Sequence, residues 1–105
     1  MMHSSLAGSR WRKLSLLEQL GNIGSEVGRA IRAGDKDRRQ KAAYRALELF
    51  DLTLDDKRWR GRGSEIARAR ELFCDFIFGS NTYRVDGASL EKYFTHFALA
   101  ARLHR

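Results

Sequence analysis

The chain has 105 residues, a formal net charge of +7, a single cysteine and no proline. A chain of this length fits one domain, which buries about two-thirds of the surface that the unfolded chain exposes. The single cysteine, Cys74, excludes an intramolecular disulfide and leaves no pair of thiolates for a metal. No apolar run reaches the ~20 residues that cross a bilayer, and the opening residues lack the apolar segment of a signal peptide. The sequence therefore predicts a cytoplasmic protein with no membrane association.

The first predicted helix covers residues 15–32. Ser15 and Glu18 have the spacing of a capping box, in which each side chain accepts a hydrogen bond from the other residue's backbone N–H. Gly34 lies just beyond the last turn, in the position of a left-handed C-cap. These local signals predict both ends of the helix.

Three glycines, Gly21, Gly24 and Gly28, lie at the edge of the apolar stripe of this helix. Each costs up to about 1 kcal/mol of helix stability relative to alanine. Because they share one narrow sector of the helical wheel, they predict a neighbouring helix that packs unusually close. The alternative is neutral substitution on a tolerant surface.

The next three predicted helices cover residues 36–54, 65–78 and 90–103. The last two follow Ser64 and Ser89, which are favourable N-cap residues. Apolar side chains cover more than half the circumference of the third helix, so this helix is predicted to be buried on two sides.

Helices of this length with connections of roughly three to eleven residues fit an all-α, antiparallel four-helix bundle. A sheet is not expected, since no segment alternates polar and apolar residues with β-branched enrichment. Residues 15–105 are predicted to form a single domain. Residues 1–14 are predicted to be a mostly disordered basic tail.

The strongest concentration of charge lies in residues 57–63, which supply four of the seven net positive charges around Trp59 without an acid among them. Residues 10–13 form a second basic stretch that also contains a tryptophan. Cations beside a stackable ring suit a phosphate backbone with exposed bases. The favoured alternative for Trp59 is a hydrophobic plug over the end of the bundle, because tryptophan is highly buried on average. The predicted nucleic-acid patch consists of Arg10, Trp11, Arg12, Lys13, Lys57, Arg58, Trp59, Arg60 and Arg62.

Two charged residues fall within or beside apolar stripes. Arg70 projects into the apolar arc of the third helix, and Asp51 projects beside Leu47 of the second. A buried guanidinium requires a carboxylate partner. We therefore expect a structural ion pair between Arg70 and Asp51, with Glu26 as the second candidate acid.

The sequence contains no evident catalytic or metal-binding constellation. His3, His96 and His104 do not recur at metal-ligand spacing, and no histidine follows an arginine by four to six residues as in compact helical ribonucleases. Burial in an apolar run should raise the pKa of the Cys74 thiol and make it inert. Since no nucleophile, base and orienting residue occur together, we predict no enzymatic activity and no cofactor.

Four stretches, residues 17–27, 45–53, 78–83 and 93–102, resemble a family of small prokaryotic helical proteins with no established activity. The likeness extends over most of the chain from about Trp11. It implies an all-helical fold in a prokaryotic cytoplasm and carries over no functional residue. The basic loop around Trp59 is richer in arginine than the pattern of that family.

Exposed apolar patches mark partner surfaces. Leu99 and Leu103 are predicted to face away from the core stripe of the last helix, and Leu72 and Phe76 belong to the wide apolar arc of the third. These four residues are the predicted interface of a homodimer. The first functional hypothesis is thus a non-enzymatic, self-associating interaction or assembly module. The alternative is a basic accessory protein that binds RNA or a single strand.

Overall fold

The computed structural model describes residues 9–79 and 86–103, with side chains described as far as residue 96 in the last segment. Within these ranges the regular structure is entirely helical, which confirms the predicted all-α class. A helical turn at residues 9–11 precedes four α-helices and one 3₁₀ helix. In chain order these are α1 (Leu16–Arg32), α2 (Lys36–Leu54), the 3₁₀ helix (Lys57–Arg62), α3 (Gly63–Phe78) and α4 (Gly87–Leu103).

The predicted capping box at the start of α1 is confirmed. The backbone N–H of Glu18 donates to Ser15 Oγ at 3.1 Å, and that of Ser15 donates to Glu18 Oε1 at 3.0 Å. The predicted glycine C-cap is wrong, because the C-cap of α1 is Ala33, whose backbone is extended, and Gly34 has no left-handed backbone. The carboxylate of Asp35 then accepts the backbone N–H of Arg38 at 2.9 Å and begins α2.

Helices α3 and α4 begin earlier than predicted. The 3₁₀ helix continues directly into α3, so Ser64 lies inside the helix and is not its N-cap. Asp86 replaces Ser89 as the start of α4, since its carboxylate accepts the backbone N–H of Ser89 at 2.7 Å. That hydrogen bond lowers the pKa of Asp86.

Helix α1 lies at the centre of the fold and packs against α2, α4 and, less extensively, α3. The rings of Phe50 and Phe94 meet edge to face, with centroids 5.8 Å apart, and the ring of Phe73 lies 6.2 Å from that of Phe50. Such aromatic pairs add about 0.5–1.5 kcal/mol beyond the area they bury. The buried apolar core comprises Trp11, Leu16, Leu20, Ile23, Val27, Ala30, Ala42, Ala43, Ala46, Phe50, Ile66, Ala69, Phe73, Leu90 and Phe94.

Helix α3 is less buried than its sequence predicted. Only Ile66, Ala69 and Phe73 are fully buried, and Phe78 is 47% exposed. The predicted burial of α3 on two sides is therefore not found. Among the described residues, its neighbours cover one face of the helix.

The glycine prediction is confirmed at one position. A Cβ on Gly24 would lie 2.7 Å from Cβ of Phe94, so only glycine allows α1 and α4 this separation. At Gly28 the nearest atoms belong to the flexible guanidinium of Arg32 in the same helix, at 3.1 Å. Close helix packing therefore requires Gly24 and not Gly28.

Candidate nucleic-acid interface

The fold brings the two predicted basic stretches together. Residues 9–11 form a helical turn, and Leu14 N–H donates to the carbonyl oxygen of Trp11 at 3.1 Å, which reverses the chain before α1. Arg58 Nη2 donates to the carbonyl oxygen of Leu14 at 2.9 Å, across 44 positions of sequence. Arg12 Nη2 lies 3.7 Å from Asp55 Oδ2. Arg12, Lys57 and Arg58 line one open cleft together with Asp55 and Asp56. We use the name basic face for the cations of the two joined stretches, which are Arg10, Arg12, Lys13, Lys57, Arg58, Arg60 and Arg62.

Trp11 belongs to the core and not to the surface patch predicted for it. Trp11 is only 8% exposed, and its Nε1 donates a hydrogen bond to Thr53 Oγ1 at 2.9 Å. Thr53 is itself completely buried. The expected disordered tail is therefore folded from residue 9 onward, because burying the indole orders the segment that carries it. Residues 1–8 lie outside the described part of the chain.

Gln19 joins this segment to the 3₁₀ helix. The side chain is completely buried. Its Nε2 donates to the carbonyl oxygen of Trp11 at 2.8 Å and to Asp56 Oδ2 at 3.3 Å, while its Oε1 accepts from Trp59 Nε1 at 3.0 Å. A buried amide whose polar atoms are all bonded fixes the relative positions of its partners.

Asp56 and Arg58 form the charged part of the same network. Asp56 is only 4% exposed. Its carboxylate accepts hydrogen bonds from Arg58 Nη2 at 2.7 Å, from Arg58 Nε at 3.1 Å and from the backbone N–H of Arg58 at 3.1 Å. Hydrogen bonding from Arg58 is the main reason that the pKa of Asp56 falls to about 2, against the opposing effect of burial. The same contact raises the pKa of Arg58. This pair is charged at neutral pH and holds the start of the 3₁₀ helix.

Trp59 adopts the plug arrangement. It is half-buried against the hydrophobic core, and its indole N–H is bonded to Gln19. The guanidinium of Arg58 lies over the indole ring, 4.4 Å from its centroid, in cation–π geometry. One face of the ring is thus covered by a cation, and the ring also packs against the core, which disfavours stacking of a base on it.

Local acids neutralise several of the cations. Besides the Asp56–Arg58 pair, Arg62 donates to Glu65 at 3.2 and 3.3 Å. These pairings correct the expectation of an uncompensated charge cluster, since Asp55, Asp56 and Glu65 flank the predicted stretch. All four of its basic residues are exposed, as predicted. Among the described residues, no hydrogen bond or ion pair forms to the side chains of Arg10, Lys13, Lys57 or Arg60.

The other predicted residues lie away from the basic face. Arg70 Nε donates to Asp51 Oδ1 at 3.1 Å, but the two side chains are 36% and 51% exposed, so the pair lies at the edge of the core and not inside it. Cys74 is half-buried, and burial raises the pKa of its thiol, as predicted. Among the described side chains, no His, Cys, Asp and Glu residues cluster in a way that could hold a metal ion.

The predicted dimer interface is only partly visible. Leu72 and Phe76 are half-buried and pack against the core. Leu99 and Leu103 belong to α4, but their side chains lie outside the described residues. The structure therefore leaves the predicted interface as a prediction.

Gln19, Thr53 and Asp56 are the members of the buried network that were not predicted from the sequence. Gln19 occupies a position of the apolar stripe of α1, three residues after Leu16, and is completely buried. A polar residue at such a position is the available signal. For Thr53 and Asp56 the sequence offers no comparable periodic signal.

Comparison of the chain with protein-family models, with curated proteins and with solved structures found no match. Membership of a prokaryotic helical family therefore stays a prediction. Within the part of the chain that the structure describes, no helix has both the length and the apolar character of a membrane span.

Proposed function

We propose that this protein is a non-enzymatic accessory protein that binds the phosphate backbone of a nucleic-acid duplex through the basic face. The observation that carries the proposal is the meeting of residues 10–14 with residues 55–62 on one surface. Four exposed cations of the basic face, Arg10, Lys13, Lys57 and Arg60, have no acidic partner among the described residues. Clustered cations bind nucleic acid by releasing the counterions condensed on its phosphates.

The proposed contact is to phosphates and not to bases. Trp11 is buried, and the ring of Trp59 is held by Gln19 and covered by Arg58. Neither tryptophan of the two basic stretches therefore offers the free ring on which single-strand binders stack bases. The single-strand variant of the sequence hypothesis is therefore replaced by duplex binding, in which phosphate contacts position the protein without reading sequence.

The proposed scaffold is the antiparallel four-helix bundle predicted from the sequence. It is supported by contacts that join residues late in one helix to residues early in a neighbouring helix, as expected when two helices run in opposite directions. Thr53 of α2 meets Trp11, which precedes α1, and Arg45 of α2 meets Glu26 of α1. Gly87, at the start of α4, lies beside Ile31, near the end of α1. Arg70 of α3 bonds Asp51 of α2, and Asp51 lies ten residues before Gly61 of the connection between α2 and α3. The cytoplasmic location expected from the sequence is part of the same proposal.

The test measures duplex affinity as a function of salt. Fluorescence anisotropy with a labelled duplex should give a logarithmic affinity that falls linearly with the logarithm of salt between about 50 and 200 mM. Lys57→Gln with Arg60→Gln should reduce the magnitude of that slope by up to about 1.8, since each lost phosphate contact removes about 0.9.

The matched control is Lys36→Gln with Lys92→Gln, which removes the same charge from exposed positions of α2 and α4. We expect this control to leave the slope near that of the unchanged protein. An equal loss of slope in both double variants, or no duplex binding at the lowest salt, would refute the proposed function.

Self-association is a second candidate function, supported by one surface feature. Tyr44 of α2 and Phe78 of α3 are 53% and 47% exposed, and their rings stack with centroids 5.9 Å apart. Two large exposed rings side by side favour burial against a second copy, in a two-fold dimer that would also use Leu72, Phe76, Leu99 and Leu103. Sedimentation should then show a species heavier than 12.1 kDa that Phe78→Glu dissociates. A monomer at every concentration would eliminate this candidate.

A further inference from the structure

A second basic surface lies at the other end of the α1–α2 pair, where Ala33, Gly34 and Asp35 connect the two helices. It is an open cleft of about 460 Å³. This volume falls within the roughly 300–1,000 Å³ range of small-molecule sites. The cations that line the cleft are Arg29, Arg32, Arg38, Lys41 and Arg45. We call it the hairpin cleft.

Each arginine of the hairpin cleft is held by an acid at its edge. Arg29 Nη1 lies 2.8 Å from Glu26 Oε2 and Arg38 Nε lies 3.4 Å from Asp35 Oδ2. Arg32 forms an ion pair with Glu91 of α4. A guanidinium has five N–H donors, so contacts of this kind leave most donors available to a ligand. The ammonium of Lys41 has no ion pair among the described residues.

Glu26 links the two helices that form the cleft. Its side chain is 11% exposed, and its second oxygen, Oε1, lies 3.5 Å from Arg45 Nη1. Oε1 is buried and has no hydrogen-bond partner among the described atoms. One carboxylate thus positions a guanidinium from α1 and another from α2, and Glu26 acts as a positioning residue.

Charge within the hairpin cleft is unbalanced. Five cations line it, and no acid is among its lining residues. The acids that touch these cations, Glu26, Asp35 and Glu91, number three. Converging like charges in a concave surface raise the local concentration of anions. The guanidinium fork also matches the geometry of phosphate oxygens.

We propose that the hairpin cleft binds a small ligand that carries two linked phosphate groups. A single phosphate would engage only part of the five-cation lining, whereas a diphosphate can contact cations from both helices at once. The site is separate from the basic face, because Arg29, the cleft residue nearest the start of α1, lies about 20 Å along the helix from Leu16 at 1.5 Å per residue. The inference therefore does not depend on nucleic-acid binding.

The test is a calorimetric titration with inorganic pyrophosphate at low ionic strength, accompanied by amide chemical shifts. We expect saturable binding at one site, with shifts confined to Ala33, Gly34 and neighbouring residues of the hairpin cleft. Lys41→Gln removes a side chain without a structural partner and should weaken binding by a factor of about 10 to 100, which corresponds to one hydrogen bond to a charged group. Adding Arg38→Gln should weaken it further, and inorganic phosphate should bind more weakly than pyrophosphate.

The control is Lys57→Gln with Arg60→Gln on the basic face, which should leave pyrophosphate binding unchanged. The failures are distinguishable, because a cleft that binds pyrophosphate stands even if duplex binding is absent. Non-saturable binding, shifts spread over all basic residues, equal affinity for phosphate and pyrophosphate, or affinity unaffected by both cleft variants would each overturn the proposal.

Discussion

Trp59 Nε1 donates a hydrogen bond of 3.0 Å to Oε1 of Gln19, a residue 40 positions earlier in the chain. The bond joins a half-buried surface ring to a completely buried amide. Because Gln19 also donates to Trp11 and Asp56, a change at this one amide reaches three residues in two other segments of the fold.

Replacing Gln19 with leucine should therefore destabilise the protein. The substitution keeps an apolar body in the core but leaves the indole N–H of Trp59 without its acceptor, which costs about 1–3 kcal/mol when the group is shielded from water. It also removes one of the two hydrogen bonds to the carbonyl oxygen of Trp11, which keeps the one from Leu14. Urea unfolding measures the change. Gln40→Leu is the matched control, since Gln40 is exposed on α2 and should alter the midpoint little. Equal effects at the two positions would contradict the buried network.

Gly24→Ala and Gly28→Ala should change stability in opposite directions. At Gly24 the new methyl would meet Phe94 Cβ at 2.7 Å, and overpacking of this kind costs about 1–3 kcal/mol. At Gly28 it would meet only the movable guanidinium of Arg32, so the gain in helix propensity, up to about 1 kcal/mol, should prevail. Thermal unfolding of the two variants checks the sign. A stabilised Gly24→Ala variant would contradict the prediction and show that α4 shifts away from α1 at little cost.

Acid should weaken the fold through Asp56. Its pKa is lowered from 3.8 to about 2 in the folded protein, so the unfolded chain binds the proton more readily than the folded one. The stabilisation is fully present above about pH 5 and is lost progressively as the pH falls from there to about 2. Unfolding free energy measured across this range should fall more steeply for the unchanged protein than for Asp56→Asn. Parallel curves would mean that Asp56 titrates normally.

Trp59→Ala should reduce stability without reducing duplex affinity. The ring is half-buried against the core, so its loss should cost about 1–3 kcal/mol, less than a fully buried tryptophan. Tyr44→Ala, which removes a ring that is 53% exposed, should cost less. Anisotropy titrations of the folded variant should match those of the unchanged protein at every salt concentration. A selective loss of single-strand affinity with intact stability would instead identify Trp59 as a stacking residue.

Features determined by neighbouring residues were predictable from the sequence. The capping box of Ser15 and Glu18 needs only one helical turn, and the apolar periodicity of the helices defined the all-α class. The start of α4 was misplaced because Asp86 and Ser89 are both favourable N-cap residues. Which of the two begins the helix depends on how many residues at its start pack against the rest of the fold. Gly24 was predictable as a close contact, but its partner Phe94 was not.

The organisation of the candidate site was beyond local reasoning. Trp11 looked like part of an exposed basic tail, and its burial depends on Thr53, 42 positions away. The two basic stretches were each visible in the sequence, yet their meeting depends on Gln19, which local reasoning did not identify. Likewise, the hairpin cleft needs α1 and α2 to align Arg29 with Arg45 around Glu26.

The contact between Arg58 and the carbonyl of Leu14 also bears on where the folded unit starts. A shortened chain that began at Ser15 would retain all four long helices, but it would open a hole where the Trp11 indole lies and strip Thr53 and Gln19 of a shared partner. Limited proteolysis should accordingly spare the peptide bonds between residues 10 and 14 for as long as the helices remain intact. The minimal autonomously folding fragment thus extends several residues ahead of its first capped helix.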